Sequence, residues 1–365
     1  MAKDRSKPAT KSSSRRKPGF RANSKQIPDQ VRDDVHGLIL WLYTVAGLVF
    51  TMVMIGAITR LTDSGLSMVE WRPVFGFLPP MNEAEWTRVF DLYKASPEFA
   101  KKHFWMGIED FKAIFFWEYL HRVLGRVIGL VFALPLLWFW LRKQIPAGYG
   151  WKLIGMLVLG GLQGFMGWYM VKSGLVNDPY VSHYRLSAHL TIAFLIFSLL
   201  IWLALSLQNP QRTGNKALFA HSWFVLGMVT LTIFWGAYTA GLDAGLIYNE
   251  TFPKMGGQWI PPTINQFTPY WLNFFETPEG VQFTHRWLAM TSVIAMISLW
   301  AHAVAKRSAS WPVHALAGMS LLQLTLGITT LLSKVYVPIA VLHQAGALVL
   351  LGLLITTLHR YNPKN

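Results

Sequence analysis

The 365-residue chain contains no cysteine, which removes disulfides, thiolate-held metals and iron–sulfur clusters from consideration at the outset. Charge is sparse too. Only 14% of residues are Asp, Glu, Lys or Arg, against about 25% in an ordinary soluble domain. Acid is scarcer still, with 18 Asp and Glu against 33 Lys and Arg. The net charge of +15 would suit a nucleic-acid partner if it were gathered on one face. It is instead spread over short connections between apolar runs, so no nucleic acid is expected. Hydrophobic residues make up 53% of the chain and mean hydropathy is +0.33, the composition of a protein that crosses a lipid bilayer several times.

Eight apolar runs approach the ~20 residues that a spanning helix needs. They lie at about 39–58, 118–141, 152–171, 186–207, 219–240, 283–302, 312–332 and 337–358. The expected fold class is therefore all-α integral membrane, with eight transmembrane helices. Residues 1–38 carry ten basic and four acidic residues and read as a disordered tail. Asp4, Asp29, Asp33 and Asp34 weaken a transit-peptide reading of that tail. The tail, the connections near 142–152, 208–218 and 303–311, and the C-terminus are basic. The long loops 59–117 and 241–282 hold twelve acidic against eight basic residues. By the positive-inside rule both termini are cytoplasmic and the long loops face the outer compartment. A bacterial inner membrane is the expected location, with the matrix replacing the cytoplasm in a mitochondrial protein.

A repeat runs through the bundle. Gly56-Ala57-Ile58-Thr59 with Asp63-Ser64-Gly65-Leu66 recurs as Gly236-Ala237-Tyr238-Thr239 with Asp243-Ala244-Gly245-Leu246. His121-Arg122 recurs as His285-Arg286, Leu162-Gln163 with Gly167 as Leu322-Gln323 with Gly327, and His189 as His343. Each unit holds four spans, an even number, so the halves share one orientation and form two pseudo-symmetric four-helix bundles. The expected division is a tail at 1–38, a first half at 39–207, an inner linker at 208–218, a second half at 219–358 and a short cytoplasmic tail at 359–365. Parallel repeats occur in transporters as well, so the repeat alone names no function.

His121, His189, His285 and His343 fall soon after the start of spans that begin at the outer face, and so at matched depth. Any one of them read alone is an ordinary interhelical or headgroup histidine. Four at one depth, paired by a repeat, point further. Two imidazoles facing each other across a bundle suit the two axial positions of a haem iron, giving His121 with His189 and His285 with His343. His36, His221, His302, His314 and His359 near the inner boundary, and His103 and His183 in outer loops, read as interfacial or solvated. Arg122, Arg126 and Arg286 lie within the spans. Arg122 and Arg286 directly follow a proposed ligand and are suited to haem propionates, with snorkelling to headgroups as the alternative.

Glu118 is the one acidic residue inside the eight runs. It stands one turn before His121, and ionisable groups at such positions mark functional sites by default. Its structural reading is an ion pair with Arg122 at i+4. Its functional reading is a carboxylate beside the porphyrin edge, available as a base. Gln282 replaces it in the second half and cannot accept a proton, so chemistry is expected in the first half and passive haem binding in the second.

The run from Gly56 through Arg60-Leu61-Thr62-Asp63-Ser64-Gly65-Leu66-Ser67-Met68-Val69-Glu70-Trp71-Arg72-Pro73, then Leu78-Pro79-Pro80, Glu85-Trp86 and Pro97-Glu98-Phe99, resembles the first outer loop of haem A synthases. The resemblance continues through Phe116 to Arg126, Gly161-Leu162-Gln163-Gly164, Ser187-Ala188-His189 and Phe283-Thr284-His285-Arg286, and covers essentially 39–358. It is to the cysteine-free class of proteobacteria and mitochondria. Other bacterial members carry a cysteine pair in this loop, and any thiol step assigned to them cannot operate here. The resemblance implies oxidation of the C8 methyl of haem O to a formyl group, giving haem A for cytochrome c oxidase. It implies a resident haem b on His285 and His343, substrate haem O on His121 and His189, and Glu118 beside the reacting edge. Haem O synthase and cytochrome c oxidase assembly factors are the protein partners it suggests, and lipid surrounds the spans. Homo-oligomerisation is compatible with it. Two other readings compete. A dihaem b-type electron-transfer protein would leave both haems chemically unchanged, and the Glu118/Gln282 difference argues against it. A transporter would favour broken helices near the midplane.

Overall fold

A computed structural model describes residues 29–70, 77–174 and 181–363. The tail as far as residue 28 and the Trp71-Arg72-Pro73 part of the loop motif lie outside the described residues. Ten α-helices follow in order: α1 (Asp29–Leu61), α2 (Glu83–Lys94), α3 (Ile108–Leu141), α4 (Gly150–Gly174), α5 (His183–Gln208), α6 (Lys216–Gly241), α7 (Asn273–Glu276), α8 (Pro278–Ala305), α9 (Trp311–Leu332) and α10 (Val337–Tyr361). Among the described residues eight of these are long and apolar enough to cross a membrane, and they fall on the eight expected runs. No β-ladder forms among the described residues, only an isolated bridge between Met255 and Gln258.

The helices overrun the apolar segments at several ends. α1 is helical from Asp29, where the sequence suggested tail to residue 38. α3 begins at Ile108 rather than near 118. Its extra turns rise into the outer loop, with Glu109 and Asp110 in the first turn and Phe111, Ile114 and Phe115 buried against α2. α10 runs to Tyr361, so His359 and Arg360 belong to the helix and not to a tail. Arg360 there donates to the Gln211 carbonyl and its own carbonyl accepts from the Thr213 amide, which ties the inner linker down.

In the first half α1 packs on α3 and α5, and α4 closes against both α3 and α5. In the second, α6 packs on α8 and α10, and α9 closes against both. The halves meet where α5 contacts α6, α1 contacts α10 and α5 contacts α10. Leu348, Leu351 and Ile355 of α10 join the core built from α1, α3, α4 and α5, so the seam is continuous packing. Polar contacts cross it too, as where the Ser187 hydroxyl of α5 donates to the Phe234 carbonyl of α6. Leu134, Leu137 and Trp138 of α3 lie on the outside. In lipid this costs nothing, because helix association there relies on packing and hydrogen bonds rather than on burying apolar surface.

The repeat is visible in the backbone. Asp63 and Asp243 both adopt the left-handed conformation (φ 48° and 51°) just past the ends of α1 and α6. Asp readily tolerates that region. Each then leads into a buried small residue, Ser64 or Ala244.

Candidate functional site

Each of the four histidines lies against a glycine of the repeat. A β-carbon on Gly56 (α1) would stand 3.0 Å from Cε1 of His121 (α3), and one on Gly167 (α4) 3.1 Å from Cε1 of His189 (α5). In the second half Gly236 (α6) meets His285 (α8) and Gly327 (α9) meets His343 (α10), at 2.9 Å in both cases. A methyl group at any of these positions would press on the ring where it now lies. His189 lies within electrostatic reach of His121, and His343 of His285. Among the described residues no cluster of three or more His, Asp or Glu side chains could hold a metal ion. The histidines come in twos.

Their second nitrogens differ between the halves. His285 Nδ1 is 3.1 Å from the Thr232 carbonyl. A carbonyl only accepts, so Nδ1 carries the hydrogen and Nε2 keeps its lone pair for a metal. His343 Nδ1 is 3.2 Å from Gln323 Nε2, which also donates to the His343 carbonyl at 2.9 Å. In the first half Nδ1 of His121 and of His189 are buried without a partner, and Gln163 lies 3.3 Å from Nε2 of His189. Half-buried imidazoles with a glycine under each ring fit a flat, iron-bearing group that takes a ring nitrogen as ligand.

Glu118 is almost fully buried. Its Oε2 accepts from the Ser67 hydroxyl and the Met68 amide, both at 2.7 Å, and its Oε1 pairs with Arg122. The i+4 ion pair considered from the sequence is present, and the carboxylate also clamps the first outer loop. Gln282 clamps the second loop with opposite polarity, donating to the carbonyls of Ala244 and Ile247, both at 2.6 Å. Arg122 donates to the carbonyls of Met68 and Glu70. Arg286 donates to those of Tyr248, Thr251, Pro253 and Lys254 and to the Gln282 amide oxygen, leaving only Nε without a partner. The terminal nitrogens expected to meet propionates therefore hold loop backbone. Arg126 rests over the Phe77 ring.

Two of the remaining histidines are not solvated as expected. His103 is 7% exposed and bonded to the Tyr93 hydroxyl; His359 is 1% exposed, within reach of Ser206 and Arg212. Both are covered by residues that no local pattern reveals. The four glycines were visible in the sequence only as markers of the repeat.

These features define a polytopic membrane protein with four half-buried histidines, each set against a glycine. The chain matches the COX15-CtaA family, described as cytochrome oxidase assembly proteins, over residues 39–355, and it belongs to that family. It is 48% identical over 331 residues to a protein of Rhodospirillum centenum named heme A synthase, covering 89% of this chain and 88% of that one. Proteins of the same name from Nitrosospira multiformis and Rhizorhabdus wittichii are each 46% identical, covering 86% and 89% of this chain and 90% and 94% of theirs. Nothing in these relatives favours a dihaem electron-transfer protein.

Proposed function

We propose that this chain is a haem A synthase, an oxidoreductase that converts the C8 methyl of haem O to a formyl group. The observation that carries the division of labour is the difference in second-nitrogen partners. Gln323 holds the His343 residue from the donor side, and His285 has an acceptor for its Nδ1 hydrogen in the Thr232 carbonyl, as suits a resident haem b held permanently. Nδ1 of His121 and of His189 has no such partner, as suits a substrate haem that enters and leaves. When bound, the resident haem supplies one-electron redox chemistry.

The protein's own residues supply the rest. Gly56 and Gly167 leave room for the His121 and His189 rings, which would hold the substrate haem. Thr232 and Gln323 orient His285 and His343. Glu118, one turn from His121, stands beside the reacting edge and takes up a proton as the methyl carbon is oxidised, while Arg122 and the Ser67–Met68 backbone hold it in place. Arg122 and Arg286 keep the outer loops closed over the two sites, excluding water, and Arg286 Nε is a donor left for a propionate. Both termini lie on the cytoplasmic side of a bacterial inner membrane, with residues 39–207 forming the substrate half and 219–358 the resident-haem half. Haem O arrives from a haem O synthase, and haem A departs toward cytochrome c oxidase assembly.

Acid–acetone extraction of purified protein, followed by chromatography, tests this reading. Haem B together with haem O or haem A is the expected result. Haem B alone at two per chain, or no haem, refutes it.

A further inference from the structure

The connections 142–152, 208–218 and 303–311, and the chain from residue 359 onward, contain Lys and Arg but no Asp or Glu. Most of these basic side chains are exposed, where water or headgroups can satisfy them. Among the described residues of these segments only Arg212 and Arg360 are half-buried. Arg212 lies in the linker between α5 and α6, and Arg360 in the last turn of α10. Arg360 donates to the Gln211 carbonyl. Its own carbonyl accepts from the Thr213 amide at 2.9 Å and the Thr213 hydroxyl at 3.3 Å. Arg212 thus sits between two residues tied to Arg360.

Arg212 Nη2 is 3.2 Å from Nε2 of His359, a ring that is 1% exposed. A guanidinium only donates, so this nitrogen accepts and the imidazole is neutral. The Ser206 hydroxyl lies 3.3 Å from the same nitrogen, and Trp202 packs edge-on against the ring. Arg212 is therefore held in place by an uncharged group. Its other donors have no protein partner, and Nε of both arginines is buried without one. Arg286 shows the contrast, since four carbonyls and the Gln282 amide oxygen surround it. A half-buried guanidinium with a single neutral acceptor carries a desolvation cost that no counter-charge offsets.

An anion that accepts several N–H bonds at once suits such a pair, and phosphate does so with the planar fork of arginine. The place selects the source of the phosphate. α5 ends at Gln208 and α10 at Tyr361, so both arginines stand where spanning helices leave the hydrocarbon and headgroups begin. Basic pockets between spanning helices recruit anionic lipids. We propose that Arg212 and Arg360 bind the phosphate of an anionic glycerophospholipid at the inner end of the seam between α5 and α10, with His359 and Ser206 positioning the Arg212 guanidinium. The bound headgroup fastens the linker that joins the two halves.

The test uses the full-length protein as purified in an uncharged detergent, with its unfolding temperature followed by tryptophan fluorescence. Phosphatidylglycerol, phosphatidylcholine and inorganic phosphate are added separately. Phosphatidylglycerol is expected to raise the unfolding temperature saturably, and the other two to leave it unchanged. Arg212→Gln is expected to raise the phosphatidylglycerol concentration for half effect at least about fivefold. Arg360→Gln is expected to do the same, and supplies the comparison if the first variant fails to fold. Lys306→Gln removes an exposed charge from another connection and should stay within about twofold of wild type. No rise with phosphatidylglycerol, or an equal rise with phosphatidylcholine, overturns the proposal. So does an equal rise with inorganic phosphate, which marks a free anion in place of a lipid. Wild-type response in the arginine variants, or equal weakening in Lys306→Gln, also overturns it, the latter by marking diffuse surface charge.

Discussion

Gly236→Ala places a methyl group where the His285 ring now lies, and the structure sets the size of the effect. The added carbon would stand 2.9 Å from Cε1, whereas carbon atoms pack best at about 3.5–4.0 Å. The ring must retreat by roughly 0.6 Å or more to relieve the contact, and metal–ligand distances tolerate only about 0.2 Å. Two terms then oppose each other in the fold. Alanine favours a helix over glycine by about 1 kcal/mol, and overpacking a tight site costs about 1–3 kcal/mol. Folding is nearly unchanged or mildly weakened, while axial ligation is lost. We expect Gly236→Ala and Gly327→Ala to accumulate within about twofold of wild type and to lose the low-spin haem b spectrum. Gly56→Ala and Gly167→Ala should keep that spectrum and stop haem A formation. Reduced-minus-oxidised spectra of membranes at matched expression provide the measurement. A wild-type haem b spectrum from Gly236→Ala would refute the cradle and with it the assignment of His285.

Glu118→Gln should lower the haem A to haem O ratio by about 10²–10⁴ with haem b retained, the usual contribution of a positioned base; chromatography showing near-normal haem A would leave Glu118 as the partner of Arg122 alone. Gln282→Glu sets a carboxylate against the carbonyls of Ala244 and Ile247, which now receive two donors. Leaving such buried groups unpaired costs about 1–3 kcal/mol each, so haem b should be lost on heating at a clearly lower temperature, and an unchanged transition would refute the loop clamp.

The spans were legible because twenty apolar residues in a row have few other uses, and the repeat because its markers carry backbone roles, as with Asp63 and Asp243. The start of α3 was not. Residues 108–117 mix Glu109, Asp110 and Lys112 with aromatics, and that pattern becomes helix only because α2 supplies a second apolar face. The pairing of His121 with His189 and of His285 with His343 is an expectation that rests on matched depth. The glycine beneath each ring did not, since close approach between helices leaves no periodic trace. The burial of His103 depends on Tyr93, and that of His359 on Ser206 and Arg212, partners that residue type does not announce.

The exchange of Glu118 for Gln282 means more in three dimensions than in sequence. Read along the chain, it is the loss of a base. In the fold, each side chain complements what its loop presents. The first loop turns an amide hydrogen and a hydroxyl toward α3, and an acceptor-only group answers them. The second loop turns two carbonyls toward α8, and only a donor can answer those. The polarity of the loop backbone and the charge of the side chain therefore depend on one another. Neither half can take the other's residue without also taking its loop conformation. The acid in the first half is thus held by backbone geometry as well as by Arg122, and the same contacts that position it also hold the first outer loop against α3. Loop closure and the placement of the carboxylate form one structural unit, in which Ser67, Met68 and Arg122 act together with Glu118.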